Sequence, residues 1–174
     1  TTGAAVVTVS SCPWTSDMIG DLIVAQTANT MIVTHPDLIT QKILRTGAST
    51  FTVSAFAFKT TDNIVYQPYH KFEADSLTFN PSDTSGNINV VSSSNFWVAS
   101  HAGQNFRIGT KQITVNSITN ATTAACTVRE TLTNSTLTSD WEEPAISATR
   151  GYPRSCCFHS GRLVFGGTRD LPNY

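Results

Sequence analysis

The last quarter of the chain, from Arg150 to Asn173, reads RGYPRSCCFHSGRLVFGGTRDLPN and leaves few structural choices. Two short apolar runs, Ser155-Cys156-Cys157-Phe158 and Leu163-Val164-Phe165, flank His159-Ser160-Gly161. That gap is the size of a turn, its glycine tolerates φ > 0, and Gly166-Gly167 then stops the second run. The spacing predicts a β-hairpin with Cys156 to Phe158 antiparallel to Leu163 to Phe165. Neither run alternates strictly, so both strands are expected to be covered on both faces. The chain ends at Tyr174, directly after this hairpin. A sheet with both faces bare would be unstable, so the sequence is expected to be a piece of a longer polypeptide.

The remaining sequence carries the same signature. Ser and Thr make up roughly a quarter of the residues, far above average usage, while only 13% are charged. A chain rich in Thr, Val, Ile and aromatics and poor in Lys and Glu is expected to be all-β. At 174 residues it is long enough for a real core. A net charge of -1 gives no global attraction to nucleic acid or to an acidic membrane. The charges are uneven, however, with Arg150, Arg154, Arg162 and Arg169 crowding the final hairpin. These arginines are candidates for a channel or interface lining. Pairing with Asp170, Glu142 and Glu143 is the simpler reading.

Taken in order, residues 3 to 11 predict a strand. Ser16 is a candidate N-cap for a short helical turn through Asp17, Met18 and Ile19. Short strands follow at Leu22 to Gln26, Thr30 to Thr34, Ile43 to Arg45 and Phe51 to Ala55, with His35-Pro36-Asp37 breaking the second. This meander fits a propeller blade or a sandwich sheet equally well. From Ser76 to Leu137 the composition shifts to Ser, Thr and Asn with at least five short alternating runs. It reads as a small β-barrel or sandwich inserted into blade-like sequence. The expected division is a first blade-like meander over 1–75, an inserted domain over 76–138, and a return to the platform over 139–174. Gly3, Val7, Ser10, Ser11, Trp14 and Gly20 recur at an offset of 83 as Gly86, Val90, Ser93, Ser94, Trp97 and Gly103. That match fits either a recurring β-module or coincidence in a Ser/Thr/Val-rich chain.

No catalytic constellation stands out. His35, His70, His101 and His159 lack the close His or Cys partners of a metal-ligand pair, so no metal and no cofactor is expected. His35, before Pro36-Asp37, is explained by turn chemistry. There is no G-x-S-x-G elbow, and Gly166-Gly167 precedes no helix that would cradle a phosphate. Glu142-Glu143 are adjacent on an extended segment and point apart, a poor geometry for paired carboxylates. Trp14, Trp97 and Trp141 are expected to anchor cores more than to stack on sugars or bases. Cys12, Cys126, Cys156 and Cys157 show no disulfide framework; reduced thiols are expected, with Cys156 and Cys157 as small buried hydrophobes. No apolar run is long enough to cross a bilayer. The sequons Asn120-Ala121-Thr122 and Asn134-Ser135-Thr136 read as chance in so Thr-rich a chain.

Several of these stretches together resemble a known family. Pro13-Trp14-Thr15-Ser16-Asp17, Leu22, and Ala25-Gln26-Thr27-Ala28-Asn29-Thr30-Met31-Ile32-Val33-Thr34-His35-Pro36-Asp37 look like the PYT…DL…L…AQSADTM-IVHPD opening of tail nozzle proteins of short-tailed bacteriophages. These proteins are also called tail tubular protein B or packaged-DNA stabilisation proteins. Lys42-Ile43-Leu44-Arg45 is similar to the family's K-L-x-R. Trp141 through Pro172 is similar to its W-x-E-x-A-F-S…R-G-Y-P…R-L-V-F-G-G-T…P block. The matching structural positions are Gln26, His35, Pro36, Arg45, Trp141, Gly151, Pro153, Arg162, Gly166 and Gly167. The chain departs from the pattern at Asn29, where Asp is usual, at Ile39-Thr40, where proline is frequent, and at Cys156-Cys157, where β-branched or aromatic residues are.

The resemblance implies a β-propeller-like platform fragment with an inserted small β domain, an N-terminal part of a longer tail protein. It implies a non-enzymatic virion component, assembled in the bacterial host cytoplasm as a homo-oligomeric ring, hexameric in the family. Its partners would be the tail adaptor, tail fibre or tip proteins, and double-stranded DNA passing without sequence specificity. Such a ring would retain the genome and gate its ejection. A second reading is a carbohydrate-binding or glycan-hydrolysing host-contact module using Trp97 or Trp141 with Glu142 and Glu143. A third is a bacterial surface β-protein.

Overall fold

The structure, a computed structural model, describes residue 9 and residues 11–173. The expected strand over residues 3 to 11, and the Gly3, Val7 and Ser10 members of the repeat, lie almost wholly outside them. The chain forms two compact units. One combines the described residues up to Ala57 with those from Arg150 onward; the other is the continuous segment Phe58–Thr149.

The first unit opens with a 3-10 helix, Ser16–Asp21, whose N-cap is Thr15 with no side-chain cap bond. Ser16 is therefore the first helical residue and not the cap, and Gly20 sits where a longer helix would have to continue. Four strands follow: β1 (Ile23–Thr27), β2 (Thr30–His35), β3 (Leu38–Arg45) and β4 (Phe51–Ala55). They pair in chain order as an antiparallel meander. β3 begins at Leu38, earlier than expected, because Pro36-Asp37 form a two-residue connection with His35 facing Leu38. The proline presets a turn there and the sheet continues through it. The β1–β2 turn places Ala28 at φ 44°, a left-handed conformation that normally selects glycine.

The second unit holds nine strands: β5 (Thr60–Thr61), β6 (Ile64–Val65), β7 (Tyr69–His70), β8 (Phe79–Pro81), β9 (Asn87–Ser92), β10 (Asn105–Ile108), β11 (Lys111–Asn120), β12 (Thr123–Val128) and β13 (Trp141–Pro144). Seven of them form one sheet in the order β7-β13-β10-β11-β12-β9-β8. The strand β9 alternates strictly, with Ile88, Val90 and Ser92 inward and Asn87, Asn89 and Val91 outward. The sheet curls so that Phe79 of β8 bridges to Thr138, just ahead of β13, through two backbone hydrogen bonds of 2.8 Å. That single bridge does not make a closed barrel. Inside the curl, Phe79 stacks on Trp141 at 4.1 Å between ring centroids and on Trp97 at 5.0 Å. Leu77, Ile88, Val90, Phe106, Ile108, Ile113, Val115, Ala124, Cys126 and Leu132 complete the core.

This unit runs wider than residues 76–138 at both ends, for two physical reasons. β7 and β13 pair with each other, and β13 pairs with β10, so both flanks belong to its sheet. The buried Gln112 side chain accepts from the Val65 N–H (3.0 Å) and donates to the Val65 carbonyl (2.7 Å), fastening the β5–β6 hairpin. Trp141 is thus a core residue of this unit and not of the first.

From Arg150 the chain returns to the first unit and forms β14 (Ser155–His159) and β15 (Arg162–Gly166). Cys156 faces Phe165, Cys157 faces Val164 and Phe158 faces Leu163, antiparallel as the sequence predicts. Ser160 and Gly161 both have positive φ, 47° and 74°, which is the type I′ turn that matches strand twist. Among the described residues one face of the hairpin is covered. Cys156, Phe158, Leu163 and Phe165 turn inward, whereas Cys157 and Val164 are exposed. Among the described residues that face is covered by the meander and the residue after it: Cys156 Sγ lies 3.9 Å from Thr34 Oγ1, and Phe165 meets Phe56 edge-on at 5.3 Å.

Candidate functional site

Several residues of the resembling stretches meet in the first unit, while Trp141 lies in the second. At the β2–β3 turn the Asp37 N–H donates to His35 Nδ1 at 3.2 Å, so His35 stabilises the turn with its ring. The Tyr152 N–H donates to the Pro36 carbonyl at 2.8 Å, tying the returning chain to that turn. Gly151 sits at the junction with φ +90°; a Cβ there would lie 2.6 Å from Arg169 Cβ and 3.1 Å from the Pro36 carbonyl oxygen. Only glycine fits both the conformation and the space. Arg169 reaches Asp37 (3.7 Å) and Asp170 (3.0 Å), and Arg150 reaches the other oxygen of Asp170 (3.8 Å). Farther along, Gly167 at φ +59° has the Pro172 carbonyl 2.7 Å from where a Cβ would stand. Pro153 is fully buried.

The four arginines thus divide. Arg150 and Arg169 belong to the clasp, while Arg154 and Arg162 are exposed and make no ion pair among the described residues. The expected pairing with Asp170 is present. Glu142 and Glu143 lie in the second unit and have other neighbours: Glu142 faces Arg107 at 3.9 Å, and Glu143 lies 3.9 Å from His101 Nε2. Gln26 and Arg45 share a separate cleft of about 200 Å³ with Asn29, Met31, Ile43 and Phe51. There the Arg45 guanidinium donates to the carbonyls of Gly47 (2.9 Å) and Ala48 (3.0 Å).

The second unit buries what a sugar-processing site would need to expose. Trp97 and Trp141 are 3% and 0% exposed, and the Trp141 indole donates to the Leu77 carbonyl at 2.8 Å. Glu142 is half-exposed and Glu143 fully buried on opposite sides of β13, as adjacent strand residues must be. His101 stacks on Phe96 at 4.8 Å, and its Nδ1 accepts the Val98 N–H at 3.3 Å. No local spacing announces the approach of His101 to Glu143, because the curl of the sheet produces it. Among the described residues no three His, Cys, Asp or Glu gather as metal ligands, and no helix is long and apolar enough to cross a membrane.

The cysteines differ sharply. All four are free. Burial pushes the Cys126 thiol up to about 12. Burial also raises Cys156, opposed by the Thr34 hydroxyl. Cys157 is exposed, contrary to the expectation of a buried pair. The two sequons form Asx turns: Asn120 Oδ1 accepts the Thr122 N–H (2.9 Å), and Asn134 Oδ1 the Thr136 N–H (3.1 Å). Comparison with protein-family models gives no match, and comparison with curated proteins gives none either.

Proposed function

We propose that the chain is the N-terminal part of a bacteriophage tail nozzle protein, a ring subunit around the DNA exit channel below the portal and adaptor. The observation that carries the reading is the meeting of two motif words far apart in sequence. His35-Pro36-Asp37 and Arg150-Gly151-Tyr152 dock through the Tyr152–Pro36 hydrogen bond and the Arg169–Asp37 ion pair. Words that resemble one family and also pack on each other act as one structural device.

Two further features support it. The β1–β4 meander has the topology of a propeller blade, and β14–β15 is the hairpin with which a second blade would open. The segment Phe58–Thr149 is a compact unit that interrupts the sequence of the other, the chain order of a platform with an inserted domain. A ring subunit needs heterologous, closing interfaces, and uncharged strands such as β4 (FTVSA) offer edges for them. In this reading the subunit is a non-enzymatic component of the virion tail. It contacts the adaptor and the fibre or tip proteins, and passes double-stranded DNA without reading its sequence. Projection images of the purified full-length gene product test it: closed rings with a central channel, six-fold in the family, are expected. A monomer by light scattering at all concentrations overturns it.

A further inference from the structure

The outward face of the second unit carries a cleft rimmed by polar side chains, with Ile88 and Cys126 of the core also in its lining, that the ring reading does not use. On β11 the apolar residues fall at Ile113 and Val115 and then at Ile118, a change of parity. The pairing shows why: Val115 faces Cys126 and Ser117 faces Ala125, leaving Asn116 as the extra residue of a β-bulge. Bulges re-aim side chains and recur beside binding sites. Asn116, following the inward Val115, faces outward at this bulge, and its Nδ2 donates to Thr127 Oγ1 at 2.8 Å. Thr127 Oγ1 in turn donates to Asn87 Oδ1 at 2.8 Å.

This relay spends one half of each carboxamide and fixes the orientation of the other. Asn87 Nδ2 is left as a donor and Asn116 Oδ1 as an acceptor, and the Asn89 side chain beside them keeps both. Ser82 closes one side, its hydroxyl accepting the Asn89 N–H at 3.0 Å. Between Asn89 and Ser117 stands Ala125, whose small side chain leaves the floor open. The resulting cleft has a volume of about 330 Å³, in the range of small-ligand sites.

We propose that this cleft binds a neutral saccharide unit. No carboxylate, lysine, arginine or histidine lines it, and Arg129, two residues beyond Thr127, is engaged by donating its Nε–H to Thr114 Oγ1 at 2.7 Å. Fixed, alternating amide donors and acceptors match vicinal hydroxyls, each of which both gives and takes a hydrogen bond. The methyl of Ala125 offers apolar contact to a sugar ring face. The site is separate from Trp97, Trp141, Glu142 and Glu143, and it supports binding without hydrolysis. It does not rest on the nozzle assignment, and ring formation is no part of its test.

The test is a titration of the isotope-labelled chain with neutral trisaccharides of glucose, galactose and N-acetylglucosamine to about 20 mM, a range that captures millimolar binding. Saturable shifts of the Asn87, Asn89, Asn116 and Ala125 amides by at least one of them are expected. Asn116→Ala and Ala125→Leu should each weaken binding at least about tenfold, while Thr60→Ala, on β5 outside the seven-stranded sheet, should not. Three outcomes overturn the proposal: no saturable shift with any of the three, saturable shifts confined to other residues, or undiminished affinity in both cleft variants. Equal or tighter binding of a uronic-acid trisaccharide overturns it as well.

Discussion

The Tyr152 backbone N–H donates to the Pro36 carbonyl across 2.8 Å, and Gly151 is the residue that lets the two chains come so close. Gly151→Ala would place a Cβ in a left-handed conformation against Arg169 and Pro36. We expect a loss of about 2 to 4 kcal/mol from strain and displaced contacts, read as a lower denaturation midpoint of the first unit. An unchanged midpoint would mean that the clasp is not what joins the returning chain to the β2–β3 turn.

The stack of Phe79 on Trp141 sets the second prediction. Trp141→Ala removes a fully buried indole of the second unit and its bond to Leu77, at a cost of about 3 to 5 kcal/mol. Trp141→Phe keeps the ring contact and loses only the N–H and some volume, so it should recover a large part of that loss in urea denaturation. Equal stability of the two variants would refute the stack as the organising contact.

Ala28 holds φ 44° at the β1–β2 turn. Glycine visits that region freely, so Ala28→Gly should stabilise the first unit by about 1 kcal/mol, even though it loosens the unfolded chain. Calorimetry reads this as a higher Tm for the first unit. A lower Tm would show that the turn is relaxed with alanine.

Cys126 carries a pH signature. Its thiol rises from 9.0 to about 12 on burial, so the folded state keeps a proton that the unfolded chain releases above pH 9. The stability this contributes is complete below pH 9 and fades between about pH 9 and 12, at no more than about 1.4 kcal/mol per pH unit. Cys126→Ala should flatten that decline without abolishing it, because burial raises Tyr69 in the same direction. An identical slope in the variant would contradict the assignment.

At neutral pH the same contrast predicts thiol labelling. Cys157, exposed on β14, should modify within the dead time of a maleimide reaction, and Cys126 only on unfolding. Mass mapping of the modified peptides distinguishes them.

Locally encoded features are legible in this sequence. The register of β14 and β15 follows from a two-residue turn with glycine, and the meander from turn residues at close intervals. Features made by curvature are not. β7 and β13 are two and four residues long, too short to show a period, so the extent of the second unit is hidden until its sheet is seen. The exposed Cys157 is hidden for another reason: two small apolar neighbours in a strand look the same whether one face or both are covered. The Asn116 bulge did have a signal, the parity change between Val115 and Ile118, which only a strict count of alternation along Ile113 to Ile118 reveals.

The division of the chain at Phe58 and Thr149 also sets an order of events during synthesis. A ribosome completes every residue of the second unit before it has made the hairpin that the first unit needs. Until Cys156 and Phe165 emerge, the meander has its sheet but not its cover, and Ile32 and Thr34 face water or whatever else is near. Domains fold as they are finished, so the inserted segment closes first and the surrounding one waits. A newborn chain therefore passes through a stage in which half of it is native and the other half is an open sheet, and chaperones or neighbouring copies meet it in that state.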